Sequence, residues 1–63
     1  MLQATELETA ARYWFKLARE LADALRSGDP TALFEAKDDM EVFVKYTAHP
    51  GLKARAERAL AGL

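Results

Sequence analysis

The densest cluster of chemically capable side chains is the acidic run Glu35, Asp38, Asp39 and Glu41, four carboxylates within seven residues. On a helix, carboxylates at i, i+3 and i+4 share a face, and such a set can ligate a hard cation or share a proton. Nothing nearby completes a site. Carboxylate-bridged di-metal bundles pair Glu-x-x-His motifs from two helices, and no glutamate stands three residues before His49, the only histidine. No metal or other cofactor is expected. His49 precedes Pro50 and reads as a loop or cap residue. Ser27, the only serine, sits where a helix-ending turn belongs and has no histidine close in sequence. Gly-rich phosphate loops and nucleophile motifs are absent. The expectation is a protein that is not an enzyme and has no evident small-molecule substrate.

A second candidate chemistry is binding to nucleic acid. Arg12, Lys16, Arg19 and Arg26 fall on the outer side of the first predicted helix, beside aromatic residues, and the last segment carries Lys53, Arg55 and Arg58 against Glu57. Phosphate contacts dominate such affinity. The first helix cancels its four cations with Glu6, Glu8, Glu20 and Asp23, and the whole chain has nine Lys and Arg against ten Asp and Glu, a net charge of -1. A helix-turn-helix reading of the last segment fails on spacing, because the preceding helix is too long for that motif. Nucleic-acid contacts through Arg12, Lys16, Arg19, Lys53, Arg55 and Arg58 are the alternative reading, and a solvated face is the plainer one.

Aromatic residues carry the leading expectation. At 100° per residue, Tyr13 and Phe15 lie on opposite sides of Trp14, so one neighbouring helix cannot cover all three. Phe34, Val42 and Tyr46 fall opposite the apolar stripe of the second predicted helix. Contiguous exposed apolar residues mark protein contacts, whereas isolated ones are ordinary. Tyr13, Trp14, Phe15, Phe34, Val42 and Tyr46 are therefore the candidate partner interface.

These residues are positioned by three predicted helices. Thr5 and Glu8 have the spacing of a capping box, and Leu7, Ala10, Ala11, Trp14, Leu17, Ala18, Leu21 and Leu25 recur at helical spacing up to the Ser27-Gly28 stop, which predicts a helix over 5–27. Asp29-Pro30 restarts the chain as N-cap and first helical residue. The second helix, 30–48, buries Leu33, Ala36, Met40, Phe43, Val44 and Thr47 and ends before His49-Pro50. A connection this short favours an antiparallel neighbour. Leu52, Ala56, Ala59, Leu60 and Leu63 continue a shorter pattern, a third helix over 51–61 with Lys53 and Glu57 as an i, i+4 pair.

Length sets the remaining constraint. A chain of 63 residues is one domain with a marginal core, because a domain this small buries only about 60% of its unfolded surface. With no cysteine, disulfides and zinc-thiolate sites are excluded, leaving regular packing or self-association as the source of stability. The composition, 51% hydrophobic and 30% charged, is that of a folded chain. No apolar run approaches the roughly 20 residues of a membrane span, so the expected setting is cytoplasmic and without a membrane partner. The layout resembles ROP-type hairpins that pair into four-helix bundles. That resemblance is architectural, carries no residue motif, and the third helix departs from it. The expected fold class is all-α, an antiparallel helical hairpin with a short third helix, assembling into a dimeric helical bundle. The expected partners are a second copy and possibly another protein.

Overall fold

A computed structural model describes the backbone of residues 2–63 and the side chains of residues 6–63. The described residues form three α-helices packed on one another, with no strand among them: α1 (Leu2–Ser27), α2 (Pro30–Tyr46) and α3 (Pro50–Ala61). The protein is all-α.

Helix α1 extends three residues upstream of the expected Thr5 start. Gln3 and Ala4 are good helix formers and no Gly or Pro interrupts them, so nothing halts the helix at Thr5. The Thr5 side chain, on which the capping box depends, lies outside the described side chains. At the other end Gly28 adopts φ 71, and its N–H donates to the Ala24 carbonyl at 3.2 Å, an αL cap that a side chain with Cβ would strain. The Ser27 hydroxyl donates to the same carbonyl at 2.9 Å.

Asp29 then caps α2, its Oδ1 accepting from the Thr31 N–H at 3.0 Å, with Pro30 in the first turn. Helix α2 ends at Tyr46, two residues short of the expected Ala48. Thr47 turns extended at φ -68, ψ 139, and its hydroxyl accepts from the His49 N–H at 3.3 Å, a local bond that competes with continuing the helix. Helix α3 starts at Pro50, one residue earlier than expected, because proline fits the first helical turn.

The register follows from side chains that meet. Tyr13 packs on Phe43, while Ala24 lines one groove with Ala32 and Ala36. Later residues of α1 thus face earlier residues of α2, the antiparallel arrangement. Val44 and Lys37 share a surface with Glu57 and Ala61, so α3 folds back along α2 in turn. The core is Leu17, Leu21 and Ala24 from α1, Ala36, Met40 and Phe43 from α2, and Ala56 from α3. Met40 has no exposed surface, and none of the described polar or charged residues is buried.

Two departures from the expected core have one cause. Leu7 and Leu25 stand half exposed, and Ala24 is buried in their place. A 26-residue helix is about 39 Å long and a 12-residue helix about 18 Å. Arg55 stacks over Trp14, which sets α3 against the middle of α1 and leaves both of its ends uncovered. Leu63, past the end of α3, is likewise exposed. The outcome is an elongated body of 41 × 17 × 14 Å with a radius of gyration of 12.1 Å, against about 10.6 Å for a compact chain of this length.

Candidate partner interface

The six candidate interface residues occupy three separate places. Tyr13 and Val42 are about half exposed and Tyr46 is 74% exposed. They line one groove of about 530 Å³ between the first half of α1 and the last turns of α2. Ala10, Phe43 and Ala48 add to its apolar lining, and Glu6, Thr9, Thr47 and His49 line it as well. Its position follows from the register. Tyr13 points from α1 toward α2, where its ring meets Phe43 at 5.9 Å with the planes tilted by 50°. The Lys45 ammonium stands 5.6 Å from the Tyr46 ring, within cation–π range.

Trp14 and Phe15 lie elsewhere. Their rings meet edge to face at 5.4 Å, and Phe15 stays 64% exposed on the outer side of α1. Arg12, Lys16, Ala18 and Arg19 share that surface with them, and no carboxylate does. Trp14 is held between Phe15 and the Arg55 guanidinium, 5.8 Å from the indole ring. The buried Trp14 Nε1 has no acceptor among the described residues. Phe34 is a third, isolated exposure at 66%, on the outer side of α2.

Of the six basic candidates, four come together: Arg12, Lys16 and Arg19 around Phe15, with Arg55 over Trp14. Lys53 does not join them, since at 100° per residue it lies well around α3 from Arg55, whereas Arg58, three residues on from Arg55, shares its side of the helix. The expected Lys53–Glu57 pair is not formed. Among the described residues Arg26 and Asp23 make the one ion pair, an exposed contact one turn apart.

Two features escaped the reading of the sequence. One is a groove between α1 and α2 at the Gly28 end, lined by Glu20, Asp23, Asp29, Glu35 and Asp39 with no cation. Glu20 and Asp23 come from α1 and the other three from α2 and its N-cap, and the antiparallel register gathers them. Among the described residues no group of His, Asp and Glu has the geometry to hold a metal ion. The other is the core role of Ala24, which was visible as the i+3 and i+7 neighbour of Leu21 and Leu17.

Fold and surface together define a class: a short three-helix chain with more apolar surface than its own helices cover. No family model, curated protein or solved structure matches it. Among the described residues no helix is long and apolar enough to cross a membrane.

Proposed function

We propose that this protein is a non-enzymatic interaction or regulatory module that self-associates through aromatic faces of its helices and acts in the cytoplasm. The observation that carries the reading is the joining of Tyr13, Val42 and Tyr46, from two helices, in a single apolar groove. Burial of apolar surface yields roughly 25 cal/mol per Å². For a chain whose own core is marginal, covering this groove stabilises the fold and forms the contact at once. Sedimentation and light scattering across the micromolar range test it. Mass rising with concentration is expected. A stable monomer with Phe15, Phe34 and Tyr46 protected from solvent overturns it.

One observation favours a second reading, a small nucleic-acid-associated regulator. Arg12, Lys16, Arg19 and Arg55 surround two aromatic rings with no carboxylate on the same patch, and bases stack on aromatic and guanidinium planes. This reading requires a gel shift that weakens with salt and is lost when Arg12, Lys16 and Arg19 are neutralised. No shift at low salt eliminates it.

A further inference from the structure

We propose that a second copy of this chain covers the Tyr13, Val42 and Tyr46 groove in a two-fold dimer that overlaps only at that end of the molecule and holds the two acidic grooves apart. The inference rests on the self-association reading and adds the face and the arrangement.

The first argument is area. A folded monomer of 7.0 kDa exposes about 4000 Å². This chain exposes 4847 Å², an excess of about 800 Å² that belongs to its whole elongated body and is of the order of the roughly 800 Å² that each partner buries in a standard interface.

The second argument is charge. The face made by α1 and α2 is apolar at the Tyr46 end and acidic at the Gly28 end, where five carboxylates line the groove and only Asp23 has a cation, Arg26 one turn on. Full overlap of two such faces running the same way sets carboxylates against carboxylates. Full overlap running opposite ways buries them against tyrosine and valine. Taking unpaired carboxylates from water is strongly unfavourable, so both arrangements are disfavoured. Overlap at the apolar end alone avoids this cost. With the two-fold axis through the groove, Tyr46 of each copy approaches Tyr13 and Val42 of the other, and every contact is made twice. The Phe15 surface is a poorer seat for the same symmetry, since a two-fold axis there brings Arg12, Lys16 and Arg19 against their own copies.

Sedimentation equilibrium of the full chain, from low micromolar to submillimolar concentration, is expected to show a monomer–dimer equilibrium. Val42→Glu and, separately, Tyr46→Ser are expected to weaken it at least tenfold with helicity unchanged, while Phe34→Ser leaves it intact. Because the chain has no cysteine, single variants report proximity. With a short thiol-reactive cross-linker, Tyr46→Cys is expected to give covalent dimers and Glu35→Cys none. A dimer unaffected at Val42 and Tyr46 but lost in Phe15→Ser, or one cross-linked equally well through Glu35→Cys, overturns this arrangement and leaves self-association standing. Open-ended, salt-sensitive assembly abolished by Lys16→Glu does the same, because it identifies a basic surface seated in an acidic groove. A monomer at every concentration overturns both.

Discussion

Tyr13 and Phe43 meet at 5.9 Å between ring centroids, one ring half exposed in the groove and the other buried in the core. The groove is therefore continuous with the hydrophobic core, and Tyr13 belongs to both. Truncating Phe43→Ala should destabilise the fold by about 3 to 5 kcal/mol, as for other buried aromatic rings. Tyr13→Ala should cost clearly less. A double-mutant cycle by urea unfolding should return a coupling of about 0.5 to 1.5 kcal/mol, and a coupling of zero would mean that the rings are neighbours only in space.

The connection between α1 and α2 depends on two local devices. Asp29→Ala removes the acceptor for the Thr31 N–H and should cost about 1 kcal/mol. Gly28→Ala forces a Cβ into φ 71 and should cost about 1 to 2 kcal/mol, although open space surrounds the position, so the loss is conformational and not steric crowding by neighbours. In a domain this small each kcal/mol should appear as a fall of about 4 to 8 °C in the melting midpoint.

Met40 and Ala56 are the two core positions with no exposed surface, and they should respond to opposite changes. Met40→Ala leaves a cavity, at a cost of about 2 to 5 kcal/mol. Ala56→Leu overfills the contact of α3 with the hairpin, at about 1 to 3 kcal/mol. Circular dichroism should show Ala56→Leu loosening α3 while the hairpin helices persist. If both variants melt like the parent, the packing described for α3 is wrong.

Trp14 places a buried indole N–H where no described residue accepts it. An unsatisfied buried donor costs about 1 to 3 kcal/mol. Trp14→Phe removes that donor and keeps much of the ring, so it should change stability far less than Trp14→Ala. Thermal melts of the two variants make the comparison. Equal losses would show that ring volume alone decides the site.

Most of the backbone plan was legible in punctuation and periodicity. Gly28, Asp29-Pro30 and Pro50 announce the helix breaks through local steric rules that need no tertiary partner. The larger shifts fall where no strong breaker stands: nothing upstream of Thr5 stops α1, and Thr47 ends α2 through a hydroxyl bond that spacing alone does not reveal, while α3 moves by one residue, onto Pro50 itself. The candidate interface was legible only as a set of residue types. Tyr13 and Val42 share a groove, Phe15 faces away and Phe34 stands alone, because those relations depend on how one helix is rotated against another. Burial of Leu7 and Leu25 failed for a similar reason, since each depends on how far α3 reaches along α1.

The two links between helices are only two or three residues long, which bears on how the chain reaches this state. Closing such short loops costs little entropy, and helical hairpins rich in local contacts fold in microseconds to milliseconds. Each newly made molecule therefore spends little time with its core unformed. The aromatic groove therefore exists as soon as α1 and α2 have closed on each other, and no slow step separates the finished chain from its finished surface.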